Sequence, residues 1–177
     1  MKKERIHIYM EYTANNDPNF YESHRFVTNC GSYAFRLKEW YDNEVDEHFG
    51  GIEQWCLELL EEGIPDSDIP DMVAETYLDR ICRDLGDSVR VLTRLDHASM
   101  LKAAAHNFHE ELIAFRTYVP VEEWDPEDYL EFDFHFRVYR DGRWMEKNGN
   151  HAVQECDISD WGKYNSSTFF LIHHYEI

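Results

Sequence analysis

The stretch DYLEFDFHFRVY, residues 128–139, constrains the fold most strongly because its apolar and polar side chains alternate. Twofold alternation is the period of a β-strand that buries one face. The apolar face holds Leu130, Phe132, Phe134, Phe136 and Val138, and the opposite face holds Glu131, Asp133, His135 and Arg137. Asp141 and Gly142 follow, a pair typical of a two-residue hairpin turn, so we expect RWMEK to return beside the first strand.

Other strands are expected near both ends of the chain. RIHIYMEY, residues 5–12, alternates in the same way, and SHRFVTN, residues 23–29, is a candidate for a second strand. Asn148-Gly149 predicts a turn into HAVQEC, and the final TFFLIHHYEI is apolar enough to lie inside a sheet. SVRVLTRL, residues 88–95, fits either a strand or a helix.

Helical periodicity fills the middle of the chain. The four predicted helices run from Tyr33, after a Ser32 cap, to about His48; over IEQWCLELLEE before Gly63; from an Asp68 cap to Gly86; and from about Ala98 to Arg116. The third buries Ala74, Tyr77, Leu78, Ile81 and Leu85, and the fourth buries Leu101, Ala104, Ala105, Phe108, Leu112 and Phe115. The sequence therefore predicts an α+β fold, with a largely antiparallel sheet from N- and C-terminal strands and a central group of about four helices.

The composition indicates one compact unit. The chain has 177 residues, 43% of them hydrophobic, so we expect a single domain over residues 1–177. No segment approaches the roughly 20 apolar residues that span a bilayer. The four cysteines, Cys30, Cys56, Cys82 and Cys156, form no C-x-x-C pair. We therefore expect a cytoplasmic protein with free thiols.

Two groups of residues are candidates for chemistry. His106, His109 and Glu110 share one side of the predicted fourth helix at spacings that zinc sites use, but they do not form an H-E-x-x-H motif and no further ligand is identifiable. Cys30, beside Gly31 and downstream of His24, is the best arrangement for a nucleophile, but no family signature surrounds it. We therefore predict no metal, no other cofactor and no catalytic residue.

The negative charge is concentrated in two segments. The formal net charge is −19, and residues 41–90 contribute 15 acidic and 3 basic side chains. After Lys38 no lysine or arginine occurs until Arg80, while 14 aspartates and glutamates lie between them. The second segment, Thr117 to Phe136, contains seven acidic residues and no basic one. Rows of like charge destabilise helices, and a basic residue four positions away would have relieved the repulsion.

This pattern favours a surface that binds a basic protein. The predicted partner-binding residues are Glu39, Asp42, Asp46, Glu47, Glu58, Glu61, Glu62, Asp66, Glu75, Asp79, Glu122, Glu123, Asp125, Glu127 and Asp128. Carboxylates in rows can compete with phosphates for the basic groove of a nucleic-acid-binding protein. In size and charge the chain resembles the nucleic-acid mimics of phages and mobile elements, such as anti-CRISPR and anti-restriction proteins. That similarity implies a non-enzymatic inhibitor of a nuclease or defence effector, which itself binds neither nucleic acid nor membrane.

Three alternatives remain open from the sequence. The acidic face can serve only to keep the protein soluble or adapt it to high salt. The protein can instead be an enzyme or small-ligand-binding protein, possibly metal-dependent, with a pocket on the sheet lined by His135, Tyr139, His174 or His7. It can also be a structural partner whose aromatic ends form a subunit interface.

Overall fold

The protein is an α+β structure built on one antiparallel sheet. The computed structural model describes residues 28–37, 52–92 and 109–175, together with Phe20, Tyr21, His24 and Ser99. The α-helices that lie wholly within these residues are α1 (Cys30–Ala34), α2 (Ile52–Glu61) and α3 (Ile69–Leu85). The strands are β1 (Val89–Leu92), β2 (Glu110–Tyr118), β3 (Asp133–Arg140), β4 (Arg143–Lys147), β5 (Val153–Glu155) and β6 (Phe169–His174). The predicted α+β class with an antiparallel sheet is confirmed.

The six strands lie in the order β1-β6-β2-β3-β4-β5, and every neighbouring pair is antiparallel. The hairpin between β3 and β4 turns at Asp141 and Gly142, whose φ angles are 53° and 77°. Both angles are those of the tight turn that the sequence predicts. The C-terminal strand β6 lies between β1 and β2, as its apolar sequence indicates. SVRVLTRL, which fitted either state, contributes β1 to the sheet edge.

One face of the sheet is covered by α1 and α3. Helix α3 buries the predicted stripe of Ala74, Tyr77, Leu78, Ile81 and Leu85 against this face. From the sheet, Phe115 of β2 and Phe136 of β3 stack in the same cluster with ring centroids 4.4 Å apart. Phe134, Phe136 and Val138 thus form the apolar face predicted from the alternation. Asp68 occupies the N-cap position of α3, although its side chain makes no capping hydrogen bond.

The opposite face is covered by the loop after β5. Trp161 from this loop packs with Leu112 and Ala114 of β2, with Ile172 of β6, and with Trp144 of β4. Cys156, Ile158 and Tyr164 pack against the edge of the same cluster. The sheet is therefore buried on both faces at its centre, which explains the nearly continuous burial along β2.

The predicted fourth helix is wrong at its C-terminal end, because residues 110–118 form the central strand β2. The error has a physical reason. A strand covered on both faces carries a continuous apolar run, and such a run cannot be distinguished from a buried helix by periodicity. Leu112 and Phe115, assigned to one helical face, point to opposite faces of the sheet. Residues 101–108, which the prediction placed in the same helix, lie outside the described residues.

The predicted first helix also begins and ends elsewhere. Helix α1 starts at Cys30 because Asn29, not Ser32, is its N-cap; the Ser32 amide donates to the Asn29 side chain at 3.0 Å. Ser32 is instead the reciprocal partner of this capping box. The helix ends at Ala34, and Arg36 takes a positive φ of 58° that a helix cannot contain.

Three α-helices lie wholly within the described residues, so the prediction of about four is slightly off; Phe20, Tyr21 and Ser99 are also helical. The predicted N-terminal strand at residues 5–12, the core of the candidate strand at 23–29, and helix residues 38–48 lie outside the described residues. None of the described helices combines the length and the apolar character that crossing a membrane requires.

Candidate functional site

The fold brings the two acidic segments of the sequence together. The 3₁₀ turn Asp66–Asp68, which follows α2, contacts the 3₁₀ turn Val121–Glu123, which follows β2. We call this surface the acidic cap and define it by its exposed carboxylates: Glu58, Glu61, Glu62, Asp66 and Asp68 from the first segment, and Glu122, Glu123, Asp125, Glu127 and Asp128 from the second. Segments that are more than 50 residues apart in the chain thus form one negative surface.

A small hydrophobic cluster holds the acidic cap in place. Cys56 and Leu59 of α2 pack there with Val121 and Leu130 of the second segment. The Leu130 amide also donates a hydrogen bond to the Glu53 carboxylate at 2.7 Å, which ties the second segment directly to α2. The cluster and this hydrogen bond fix the backbone beneath the exposed carboxylates, so the carboxylates of the cap are held in a defined arrangement.

The cap carboxylates face solvent without positive partners among the described residues. All ten are exposed, and none makes an ion pair within the part of the chain that the structure describes. Three of the described arginines bind interior carboxylates: Arg36 and Arg140 bind buried Glu111, and Arg137 binds buried Glu146. Exposed Lys163 pairs with Glu131 and Asp133, which belong to the second acidic segment but lie outside the cap. The ten cap carboxylates themselves have no cationic partner among the described residues.

Glu61 and Glu62 lie where a carboxylate is locally unfavourable. Helix α2 ends there through Gly63, whose φ of 83° allows Ile64 to donate to the Leu59 carbonyl at 3.0 Å. The two glutamates therefore sit at the negative end of the helix dipole, which disfavours anions. Neither is explained by the stability of α2.

The other predicted acidic residues lie elsewhere or beyond the described chain. Glu75 and Asp79 are exposed on α3, one turn apart and on the side away from its buried stripe. Glu39, Asp42, Asp46 and Glu47 lie outside the described residues. Asp71 lies in the first turn of α3, where the helix dipole favours a negative charge. Its carboxylate accepts hydrogen bonds from the amide and hydroxyl of Ser167. It therefore helps to anchor the loop before β6.

A cleft of about 470 Å³ opens beside the acidic cap, on the loop-covered face of the sheet. One wall is formed by His135, Arg137 and Glu146 from β3 and β4; the other is formed by Trp161, Lys163 and Tyr164 from the loop. The chain passes from Leu130, beneath the cap, to Asp133 at the cleft in three residues. Cap and cleft are therefore adjoining surfaces.

A buried hydrogen-bonded group orients His135 within the cleft. His135 Nε2 lies 2.9 Å from Glu146 Oε2, and Arg137 Nε donates to the same oxygen at 2.8 Å. Although burial favours the neutral acid, hydrogen bonds from His135 and Gln154 and the Arg137 charge lower the pKa of Glu146 to about 2. Glu146 is thus ionised at neutral pH, and it fixes the imidazole with Nδ1 as the ring nitrogen left for another group.

Tyr164 and Lys163 form the rim of the cleft. The Tyr164 ring stacks on His135 with centroids 5.4 Å apart, and its hydroxyl donates to Asp133 at 3.1 Å. Burial raises the pKa of Tyr164, and the charge of Asp133 raises it further. Lys163 also binds Asp133 at 2.9 Å. The rim therefore offers aromatic surface and charges of both signs.

Cys30, the candidate nucleophile of the sequence, does not line the cleft and is buried in the cluster on the helix-covered face of the sheet. Its thiol donates to the carbonyl oxygen of Phe134 at 3.9 Å, and Phe134 directly precedes His135. Buried Lys147 donates from Nζ to the carbonyl oxygen of Thr28, two residues before Cys30, at 2.7 Å. His24, the partner suggested by the sequence, instead stacks on Phe20 and is exposed. No signal in the sequence links Cys30 to a residue more than 100 positions away.

The residues predicted for a metal site, and most of those predicted for a pocket, do not come together. His109 lies in a turn and Glu110 in β2, so the helical spacing proposed for a metal site is wrong, and His106 lies outside the described residues. The described residues contain no group of three or more histidines, cysteines or carboxylates able to hold a metal ion. Of the four residues predicted for a pocket, His135 lines the cleft, whereas Tyr139 packs on Trp144 and His174 ends β6 in solvent. His7 lies outside the described residues.

Comparison with protein-family models, with curated proteins and with solved structures gave no match for this chain.

Proposed function

We propose that this protein is a cytoplasmic inhibitor that binds a basic, nucleic-acid-handling protein through the acidic cap. The observation that carries the proposal is the convergence of two separate acidic segments on one surface, where the ten cap carboxylates have no positive partner among the described residues. A requirement for solubility alone does not call for charges to be concentrated in this way, because dispersed charges serve it equally well.

The cap provides the electrostatics of a nucleic-acid mimic. A groove that binds nucleic acid holds lysines and arginines spaced to meet a line of phosphates. Ten exposed carboxylates on a backbone fixed by packing present a comparable array, and their negative field attracts a basic groove. The protein would therefore occupy the groove in place of DNA or RNA. Nucleases and defence effectors, the targets of anti-CRISPR, anti-restriction and nuclease-immunity proteins, have such grooves.

Charge reversal in the cap tests this proposal. The variant Glu61→Lys with Glu62→Lys removes charges at the C-terminal end of α2 and should abolish capture of a basic nuclease in a pull-down at low salt. The matched control is Asp87→Lys with Glu155→Lys, which changes the same number of exposed charges outside the cap. Capture retained by the cap variant, or lost equally in the control, would contradict the proposal.

A second candidate function is supported by the cleft. A concave site with a buried histidine, an orienting carboxylate and aromatic walls is the arrangement expected of a small-ligand site or an active site. The presence of His135 in its wall favours the alternative of an enzyme or small-ligand-binding protein. This function uses a surface that adjoins the cap but does not include its carboxylates.

A further inference from the structure

We propose that the cleft is an anchoring pocket for an arginine side chain of the basic protein that the acidic cap binds. The inference rests on the proposed function and deepens it, because it joins the cleft to the binding surface and names the chemical group that enters it. Lys163, at the rim, would occupy the place of that arginine while the partner is absent.

The wall of the cleft on the sheet follows from strand geometry. Asp133, His135 and Arg137 alternate along β3 and therefore share the face that the loop covers. Glu146 of β4 pairs with Arg137 across the sheet, so its carboxylate lies on the same face. The space of about 470 Å³ lies within the range of ligand pockets, roughly 300–1,000 Å³, and admits one long side chain.

The charges that line the cleft favour a cation. Three carboxylates, Asp133, Glu146 and Asp160, face two basic side chains, Arg137 and Lys163, so the lining has an excess of negative charge when His135 is neutral. The net charge of −19 on the whole chain acts in the same direction. An anionic ligand would meet this field, whereas a cationic group is attracted by it.

The two basic side chains of the cleft are held very differently. Arg137 is buried and donates to Glu146 at 2.8 Å and to two backbone carbonyl oxygens of the loop at 2.6 and 2.9 Å. The side chain of Lys163 is 43% exposed and pairs with Asp133 at 2.9 Å and with Glu131 at 3.5 Å. Exposed pairs of this kind contribute little to stability. Arg137 is therefore a fixed part of the wall, and Lys163 is the cation that another cation can displace.

Two acceptors in the cleft are available to an entering donor. His135 is only 3% exposed, and its Nε2 donates to ionised Glu146 at 2.9 Å. Nδ1 forms no hydrogen bond with the residues that the structure describes, and it is an acceptor in the neutral ring. The exposed carboxylate of Asp160 accepts the Gly162 amide at 3.1 Å but has no ion pair within the described part of the chain. A ligand that carries several N–H donors satisfies both.

The aromatic walls favour a guanidinium group over an ammonium group. The protein already places its own cations against these rings: Arg137 Cζ lies 4.2 Å from the centroid of Trp161, and Lys163 Nζ lies 5.8 Å from that of Tyr164. A guanidinium group is planar, is weakly hydrated, packs on aromatic rings and presents five N–H donors in a rigid fork that matches a carboxylate. We therefore expect arginine rather than lysine.

The surface between the cap and the cleft is continuous. Asp128, a carboxylate of the cap, is followed directly by Tyr129, which is 79% exposed. Strand β3 begins four residues later at Asp133, in the rim of the cleft. Tyrosine is enriched among the residues that contribute most to protein interfaces. A protein that lies on the cap would therefore contact Tyr129 and reach the cleft.

A pair of blocked tripeptides tests the pocket in the unmodified protein. Acetyl-glycyl-arginyl-glycine amide should shift the His135 Cε1–H resonance in NMR, which is assigned by its loss in His135→Gln. The peptide with citrulline, the neutral analogue of arginine, should bind at least about tenfold more weakly because it lacks the charge. No shift at about 10 mM arginine peptide, or equal affinities for the two peptides, would overturn the proposal.

Two variants of the cleft should change the affinity for the arginine peptide in opposite directions. Lys163→Gln should strengthen binding at least about threefold, because it removes a like charge and frees Asp133. Asp160→Asn keeps an acceptor for the Gly162 amide but should weaken binding at least about threefold. The control Asp87→Asn, an exposed carboxylate outside the cleft, should leave the affinity unchanged. Unchanged or weaker binding by Lys163→Gln, or equal losses in Asp160→Asn and Asp87→Asn, would overturn the proposal.

Poly-L-arginine and poly-L-lysine of equal length separate the pocket from the cap. The unmodified protein should prefer poly-L-arginine, and Asp160→Asn should reduce the ratio of the two affinities at least about threefold. The cap variant Glu61→Lys with Glu62→Lys should weaken binding of both polymers and leave their ratio unchanged. An unchanged ratio in Asp160→Asn would overturn the arginine pocket and leave the cap in place. Unchanged affinities in the cap variant, with a reduced ratio in Asp160→Asn, would instead overturn the role of the cap.

Discussion

At the scale of single residues, the interior of the sheet carries charges that are neutralised individually. Glu111 of β2 accepts two hydrogen bonds from Arg36 and two from Arg140, at distances of 2.6 to 2.9 Å. Although burial opposes ionisation, the charges and hydrogen bonds of these arginines lower the pKa of Glu111 to about 2. The group joins the turn after α1 to β2 and β3, and so holds the segment that contains Cys30 against the sheet.

Removing the charge of Glu111 should destabilise the protein strongly. Glu111→Gln leaves two arginines without their carboxylate, and the loss of one partner in a buried ion pair costs roughly 3–5 kcal/mol. The matched control is Glu155→Gln, whose partner Arg143 is 3.5 Å away on an exposed strand edge, where a pair contributes about 1 kcal/mol or less. Urea unfolding of both variants checks the contrast; equal losses of stability would contradict it.

His173 should make the protein sensitive to mild acid. Burial lowers the pKa of this imidazole to about 4 from its ordinary value of 6.5, although Glu111 favours the charged form and Arg140, Arg36 and His174 oppose it. The unfolded chain therefore binds the proton more readily, and stability present above pH 6.5 should be lost as the pH falls towards 4, by roughly 3 kcal/mol in total.

Thermal or urea unfolding between pH 7 and pH 4.5 measures this loss. His173→Leu should remove most of the dependence in that window, whereas His174→Leu, at the exposed neighbouring position, should leave it unchanged. Constant stability of the unmodified protein across the window would show that His173 does not titrate as described.

At the scale of elements, Glu61 and Glu62 destabilise the C-terminal end of α2 and are also part of the proposed binding surface. Neutralising the last turn with Glu61→Gln and Glu62→Gln removes anions from the negative end of the helix dipole, which should raise the free energy of unfolding by about 0.3–1 kcal/mol. The control Glu75→Gln, in the middle of α3, should change it little. The same double variant should weaken binding of a basic partner, so a gain in stability with unchanged binding would argue that the two glutamates serve no partner.

The elements that could be predicted from the sequence are those whose signals are local. The β3–β4 hairpin follows from alternation and from Asp141-Gly142, and α3 follows from its apolar stripe and from Gly86 at its end. Strand β2 could not be predicted, because burial on both faces removes the alternation that identifies a strand. Helix α1 was misplaced because Asn29 and Ser32 are both good capping residues, and only the backbone determines which one is used.

The two candidate sites also differ in how far the sequence predicts them. The acidic segments of the cap are visible in the sequence as runs without lysine or arginine, although their convergence depends on the hydrophobic cluster beneath α2. The cleft brings together His135 of β3, Glu146 of β4, and Trp161 and Tyr164 of the loop after β5. These contacts depend on strand register and on where the loop packs, and neither is encoded in a local pattern.

At the scale of the whole molecule, several basic side chains are buried, whereas the carboxylates of the cap are exposed. Arg137 and Arg140 bind the interior carboxylates Glu146 and Glu111, and buried Lys147 binds the carbonyl oxygen of Thr28. The exposed cap keeps its negative charge, and the cleft with its own polar walls adjoins it. We propose that the cap binds a basic macromolecule and that the cleft beside it binds a small polar group.

The most direct test of the proposed function is a salt titration of binding to purified basic nucleases and defence effectors. If the acidic cap replaces nucleic acid, at least one of them should bind at low salt, and the logarithm of the association constant should fall linearly with the logarithm of salt concentration. The dependence should be steep, since a contact set of six to ten charges loses about 10³–10⁵ in affinity between 50 and 200 mM salt. Duplex DNA or RNA should compete for the same site. No binding at low salt by any of these proteins, or binding that is indifferent to salt and to nucleic acid, would contradict the proposal.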